Sequence, residues 1–143
     1  MNIVTVSNPI QLEDAFSIRK KVFVEEQHVP VELEMDHHDK QAVHFVAYDK
    51  GHPVGTGRCR NSEGAWKAER VCILPDCRGA GIGKLLMQSI EKYAADQGIS
   101  TIKLNAQAHA IPFYEKIGYK VVSDEFTEAG IPHKAMEKQL SQL

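Results

Sequence analysis

The chain has 143 residues, 43% of them apolar and 25% charged, which is the size and balance of one globular domain over residues 1–143. Seventeen Lys and Arg residues against 19 Asp and Glu residues give a net charge of -2 with neutral histidines. This balance argues against a protein that holds nucleic acid through bulk positive charge, and against a polybasic membrane-binding surface.

The first half of the chain predicts a strand, a helix and several antiparallel strands. Residues 1–6 read as a strand, and a helix begins at Asn8 as N-cap with Pro9 at its first position and continues to Phe23. The acidic stretch over residues 25–39 is irregular. It is either a solvated loop or an anionic rim that attracts a cationic amine. Strands follow at residues 43–49, 53–59 and 66–74, joined by turns.

The second half alternates helices and short strands. An amphipathic helix over residues 82–94 ends near Gly98, and a strand follows at residues 101–106. A short helix over residues 111–117 ends at Gly118, and residues 119–123 and 133–140 are closing strands. This order predicts an α/β domain (α+β layered) built around a central sheet.

No apolar run approaches the roughly 20 residues of a transmembrane helix. The three cysteines, Cys59, Cys72 and Cys77, are an odd number and form no Cys-x-x-Cys motif. A secreted disulfide scaffold is therefore not expected, and we expect a cytoplasmic protein.

The loop between the third of these strands and the amphipathic helix is typical of a phosphate-binding segment. Its residues, 78–84, read Arg-Gly-Ala-Gly-Ile-Gly-Lys, and glycines before a helix N-terminus let a phosphate approach free backbone N–H groups. The P-loop pattern fails because Arg78 replaces its first glycine and Leu85 its Ser/Thr. The dinucleotide-binding pattern fails because Lys84 replaces its third glycine.

Four segments together resemble the GNAT superfamily of acyl-CoA-dependent N-acetyltransferases. They are Val71-Cys72-Ile73-Leu74-Pro75, the segment from Arg78 to Leu86, Leu104-Asn105-Ala106, and the segment from Phe113 to Tyr119. Val22-Phe23 and Glu26-Gln27 are similar to a small bacterial branch of this family, the YjcF/ElaA-like proteins. The resemblance implies a mixed central sheet that splays near Val71, with helices on both faces.

The resemblance also implies transfer of an acetyl group from acetyl-CoA to an amine, without a metal ion. The glycine loop would hold the CoA pyrophosphate, the strand at Val71 would pair with the pantetheine arm, and the N–H of Val71 would stabilise the thioester oxygen. The residues assigned to acetyl-CoA are Val71, Cys72, Ile73, Arg78, Gly79, Ala80, Gly81, Ile82, Gly83, Lys84, Asn105 and Phe113.

The catalytic groups follow from the same resemblance. Tyr114 matches the tyrosine that protonates the leaving CoA thiolate, and a phenol with an ordinary pKa of about 10 is protonated at neutral pH. Glu69 is the first candidate for the base that deprotonates the amine, and Glu26 is the second. Histidines at positions 44, 109 and 133 are further candidates. No cysteine has the neighbouring base that a covalent acyl-enzyme needs, so we expect direct transfer in a ternary complex.

Several alternatives stay open at this point. Tyr114 could be an aromatic packing residue, Glu69 an ion-pair partner, and Lys84 an ordinary lysine on the helix surface. The protein could be an acyl-CoA sensor, or a subunit of a larger acyltransferase, without its own turnover. The acceptor is expected to be a primary amine, with a slight preference for a cationic one, and a homodimer is compatible with the family.

Overall fold

One eight-stranded sheet organises the computed structural model, which describes residues 1–140; residues 141–143 of the expected domain lie outside the described residues. The sheet order is β1-β2-β3-β4-β5-β8-β6, and β7 also pairs with β8. Among the described strands, only β4 and β5 pair in parallel, which makes the sheet mixed as expected. The strands are β1 Asn2–Thr5, β2 Val43–Asp49, β3 His52–Ser62, β4 Ala65–Ile73, β5 Thr101–Gln107, β6 Lys120–Val121, β7 Phe126–Glu128 and β8 Ile131–Gln139.

Helices cover both faces of this sheet. The α-helices are α1 Pro9–Arg19, α2 Val31–Glu34, α3 Ile82–Asp96 and α4 Ile111–Lys116, with a π-helical segment at Lys20–Glu26 and 3-10 turns at His37–Lys40, Pro75–Cys77 and Ala108–Ala110. On one face, Leu86 and Ile90 of α3 pack in the larger apolar core. On the other face, Ala15 and Ile18 of α1 pack in a smaller core. This is the layered α/β arrangement predicted from the sequence.

The predicted N-terminal helix is correct in its start and too short at its end. The Asn8 side chain accepts a hydrogen bond from the Gln11 amide at 2.9 Å and caps α1. Beyond α1 the chain continues as a π-helical segment as far as Glu26, where the Gln27 amide donates to the Val22 carbonyl at 3.0 Å. In a π-helix each hydrogen bond spans five residues instead of the four of an α-helix, so the side chains that face the core no longer recur every 3.6 residues. The apolar pattern in the sequence therefore ends before the helix does.

In the acidic stretch, Glu25 and Glu32 are exposed, as in a solvated loop. Glu34, Asp36 and Asp39 are instead paired with cationic side chains of α1, β3 and β4, which neither the loop nor the rim interpretation anticipated. We call this set the arginine–carboxylate network; its members are Arg19, Glu34, Asp36, Asp39, Arg58, Arg60, Lys67, Glu69 and Arg70. The network attaches α2 and the following 3-10 turn to the sheet beside α1.

Arg19 and Arg58 form the centre of this network, and each side chain is only 1% exposed. Arg58 donates to both carboxylate oxygens of Asp36 at 2.8 Å and to Asp39 at 2.6 Å. Burial alone would raise the pKa of Asp36, but the hydrogen bonds and charge of Arg58 lower it well below its usual range. The carboxylates therefore stay ionised inside the protein, where the arginines compensate them.

No helix within residues 1–140 has both the length and the apolar character needed to cross a membrane.

Candidate active site

The two parallel strands separate in the middle of the sheet. β4 and β5 pair only from Trp66 to Ala68 on one side and from Ile102 to Leu104 on the other. Just beyond, β4 carries a bulge opposite Gly57 of β3, where Arg70 takes a left-handed conformation with φ of 56°. A bulge bends its strand and increases the local twist. The splay expected near Val71 is therefore present.

Beyond Ala68, one edge of β4 has no neighbouring strand in the part of the chain that the structure describes. The Leu74 amide donates to Val54 of β3 at 2.9 Å, and successive amides of a strand point to alternate edges. The amides of Ile73 and Val71 therefore point away from β3, into the gap. The Ile73 carbonyl faces the same way, because it accepts a hydrogen bond from Arg78 Nε at 3.0 Å. This open edge can pair with an extended, amide-rich ligand.

A cavity of about 960 Å³ occupies the gap. It brings together most of the site residues expected from the sequence: Glu26, Glu69, Val71, Cys72, Ile73, Arg78, Gly79, Gly81, Ile82, Gly83, Asn105, Phe113 and Tyr114. Ala80 and Lys84 are exposed and do not line it. Any contact of these two residues with a ligand in the cavity would come from the loop backbone or from movement of the lysine side chain.

The glycines of the loop serve different purposes. Gly79 and Gly81 have φ of +85° and +81°, a conformation that other residues adopt at a cost, and the space beside each is open. Gly81 is the N-cap of α3 and makes no side-chain bond to its first amides, so those N–H groups remain available. Gly83 instead makes room for an aromatic ring, because a Cβ there would lie 3.1 Å from Phe113 Cζ.

Tyr114 lines the cavity, and its phenol is protonated at neutral pH. The side chain is 8% exposed, and its ring packs edge-on against Phe113 and Tyr119, with centroids 5.0 and 5.8 Å away. Burial raises the pKa of Tyr114 well above its ordinary value. Within residues 1–140 its hydroxyl makes no hydrogen bond, so the proton is free for a ligand in the cavity.

Both carboxylates predicted as bases lie at the cavity, and both are held by cations. Arg60 Nε donates to Glu69 at 2.7 Å, and Arg58 Nη2 does so at 3.1 Å. Burial alone would raise the pKa of Glu69, but these partners lower it. Arg78 makes a two-pronged ion pair with Glu26 at 2.7 and 2.8 Å, which lowers the pKa of Glu26.

The histidine candidates lie in three different environments. His44 is buried beside α1 and outside the cavity wall, with Nε2 donating to the Asp39 carbonyl at 2.9 Å. His109 lines the cavity from the 3-10 turn before α4. His133 lines it from β8 and is 6% exposed, with Nδ1 2.7 Å from the Ile131 carbonyl oxygen.

Sequence reasoning missed several polar residues of the cavity. Gln27 and Gln107 exchange side-chain hydrogen bonds at 3.2 and 2.9 Å and so join the π-helical segment to β5. Glu128 also lines the cavity, where its Oε2 lies 3.7 Å from His133 Nε2 and its Oε1 accepts from Asn105 at 3.3 Å. Glu128 belongs to β7, a strand of three residues that shows no recognisable pattern in the sequence.

Two cysteines, Cys72 and Cys77, line the cavity. Burial raises the pKa of the Cys72 thiol far above its ordinary value. A thiol in that state is a weak nucleophile at neutral pH. Within residues 1–140, no three His, Cys, Asp or Glu side chains are grouped so that they could hold a metal ion.

The acetyltransferase (GNAT) domain family matches residues 7–140. An N-acetyltransferase of Bacillus subtilis, YjcF, is 50% identical over 139 residues, which cover 96% of this chain and 99% of the relative. A crystal structure of an N-acetyltransferase from Lactobacillus plantarum superposes with a TM-score of 0.91 at 30% identity, covering 98% of each chain. Escherichia coli ElaA superposes with a TM-score of 0.84 at 25% identity, covering 96% of this chain and 98% of ElaA.

The same fold occurs in an aminoglycoside 6'-N-acetyltransferase whose structure contains coenzyme A, with a TM-score of 0.78 at 19% identity and coverage of 99% and 98% of the two chains. At that identity the likeness concerns the fold alone. Together with the splayed sheet and the glycine loop before α3, the family match and the YjcF relationship settle the class. The chain belongs to the GNAT family of acyl-CoA-dependent N-acetyltransferases.

Proposed function

We propose that this protein transfers the acetyl group of acetyl-CoA to a primary amine by direct attack, with Tyr114 protonating the leaving CoA thiolate. One observation carries the proposal. A single cavity is lined by Val71 and Ile73 of the open edge of β4 and by Tyr114, whose hydroxyl makes no hydrogen bond within residues 1–140. A thioester held along that edge would therefore share the cavity with a proton donor for its sulfur.

The donor half of the cavity fits acetyl-CoA. The amides of Val71 and Ile73 can pair with the pantetheine arm, and that of Val71 can stabilise the negative charge that develops on the thioester oxygen. The loop from Gly79 to Lys84 and the first turn of α3 can bind the pyrophosphate through backbone N–H groups. Arg78 can add positive charge. Its ion pair with Glu26 joins side chains that are 43% and 38% exposed, and exchanging such a pair costs little.

The acceptor half does not require a polycationic amine. Of the carboxylates in the acidic stretch, those of Glu34, Asp36 and Asp39 are compensated within the arginine–carboxylate network, and that of Glu26 is paired with Arg78. We propose a primary amine as the acceptor, without a further positive charge. Glu26 and Glu69 hold the loop and the network in place through their arginines rather than exchanging protons with the amine.

The experiment measures acetyl-CoA binding by calorimetry and CoA release from a panel of primary amines. We expect Tyr114→Phe to lower kcat about 100-fold or more, because the thiolate then leaves without a proton donor. The Kd for acetyl-CoA should change little. Tyr119→Phe is the matched control, since its hydroxyl bonds Glu91 at 2.8 Å and lies outside the cavity wall.

Unchanged kcat in Tyr114→Phe would contradict the acid role. Binding of acetyl-CoA without turnover on any amine would instead favour the sensor or subunit alternatives. Absence of binding at millimolar acetyl-CoA would contradict the donor site itself.

A further inference from the structure

We propose that His133 is the general base that removes the proton from the acceptor ammonium, and that Glu128 positions it. The inference rests on the proposed function, since a base is needed only if an amine attacks the thioester. Three observations support it: the hydrogen bond of the imidazole, the position of His133 in the cavity wall, and the ion pairs that hold the competing carboxylates.

The hydrogen bond of His133 fixes its tautomer. Its Nδ1 lies 2.7 Å from the Ile131 carbonyl oxygen. A carbonyl oxygen can only accept, so Nδ1 carries the hydrogen. In the neutral ring, Nε2 is then left with its lone pair, which is the group a general base requires. A carbonyl partner on one nitrogen is a common way of assigning the other nitrogen to chemistry.

The surroundings hold the ring in place and can support its charged form. Phe126 stacks on it with an angle of 20° between the planes and 6.0 Å between the centroids. Glu128 Oε2 lies 3.7 Å from Nε2, close enough to stabilise an imidazolium once a proton has arrived. Asn105 donates to the other oxygen of Glu128 at 3.3 Å. Across the ladder, β5 presents the uncharged Gln107 opposite His133.

The competing groups are less suited to this role. Glu69 and Glu26 are bound to arginines that lower the pKa of each carboxylate, and a weaker base takes a proton less readily. His44 lies outside the cavity wall. His109 lines the cavity from the 3-10 turn that packs against β8, and it is therefore the direct competitor in the test.

The proton and electron balance is complete with these groups. The ammonium gives one proton to His133 Nε2, and the amine lone pair attacks the thioester carbon. The carbonyl re-forms as the carbon–sulfur bond breaks, and the sulfur takes its proton from Tyr114. The nitrogen then loses its second proton, which restores Tyr114, and His133 releases its proton to water. The products are the acetylated amine, free CoA and one proton.

The test compares His133→Gln with His109→Gln on the best alkylamine found in the amine panel, with acetyl-CoA as donor. We expect His133→Gln to lower kcat at neutral pH about 100-fold or more, while the Kd for acetyl-CoA stays the same. The effect should exceed that of His109→Gln. The ratio of wild-type to His133→Gln kcat should shrink about tenfold per pH unit as the pH rises toward the pKa of the amine. At higher pH the amine is already deprotonated in solution, so the enzyme no longer needs a general base. A purely structural role would not give that recovery.

Glu128→Gln should give a smaller loss, because it removes the charge that supports the imidazolium and leaves the base. Wild-type turnover and an unchanged pH profile in His133→Gln would overturn the inference while the proposed function stands. A larger loss in His109→Gln would also overturn it. If the wild type acetylates no amine, the proposed function fails and the inference fails with it.

Discussion

Replacing Arg58 by Met tests whether the arginine–carboxylate network holds the N-terminal half of the fold together. The guanidinium is 1% exposed and contacts the side chains of Asp36, Asp39 and Glu69. Methionine fills much of the same volume but leaves these carboxylates without their shared cation. Removing one partner of a buried ion pair typically costs about 3–5 kcal/mol. For a chain of this size, that corresponds to a Tm lower by about 10 °C.

The assay is urea unfolding at pH 7, with Lys92→Met as the control. Lys92 and Asp96 also form an ion pair, but their side chains are 78% and 63% exposed, so the control should stay within about 0.5 kcal/mol of the wild type. A loss below about 1 kcal/mol in Arg58→Met would refute the idea that this buried charge is structurally required.

The pH dependence supplies a second, independent readout. In the folded wild type the pKa values of Asp36 and Asp39 are lowered. These two carboxylates therefore contribute to the unfolding free energy above the ordinary carboxyl pKa of about 4, and this contribution is lost as the pH falls below that value. In Arg58→Met the abandoned carboxylates can instead be neutralised by protonation at low pH. The difference in unfolding free energy should therefore narrow below about pH 4. A difference that stays constant down to pH 3 would contradict the electrostatic cause.

Two further outcomes are expected. Gly81→Ala should destabilise the fold by about 1 kcal/mol, because the φ of Gly81 is +81°, and it should also weaken acetyl-CoA binding. Gly64→Ala is the control, since Gly64 has a φ of +83° in the turn between β3 and β4. This control should show the same loss of stability with an unchanged Kd for acetyl-CoA. Burial lowers the pKa of His44, whose Nδ1 is buried without a hydrogen-bond partner in the described chain, so the neutral ring is favoured in the folded state. Unfolding free energy should fall as the pH drops from 7 to 5, through the ordinary histidine pKa of about 6.5, and His44→Gln should flatten that slope in urea titrations at both pH values.

The helices and strands that could be predicted are those long enough for the periodic pattern of apolar side chains to appear within the element itself. α3 has a long apolar face, and Ile82, Leu86 and Ile90 of that face are buried, whereas Leu85 is exposed. The bounds of β2 could be predicted because turn residues flank the strand in the sequence. In contrast, β7 has three residues and α2 has four, which is too short for a period to appear. Their conformation depends on what they pack against.

The same distinction separates the parts of the site. The glycine loop and Tyr114 lie in contiguous motifs, so their place in the cavity could be anticipated from the sequence. The state of the carboxylates could not. The partners of Glu34 and Asp36 are arginines 15 to 36 positions away, on α1, β3 and β4, and only the folded chain shows which charges meet. The pairing of Glu34, Asp36 and Asp39 could not be predicted for that reason.

The bulge at Arg70 also determines what a change in the length of β4 would do. Because of the extra residue, Val71 and Ile73 pack in the core beneath α3, whereas Cys72 packs in the core beneath α1. Deleting one residue of the bulge would restore a regular ladder opposite Gly57 and leave these three side chains on their present faces. The bend that the bulge gives to β4 would be lost, and the gap between β4 and β5 would narrow. Among natural relatives and engineered variants, a deletion here should therefore preserve the fold more often than acetyl-CoA binding.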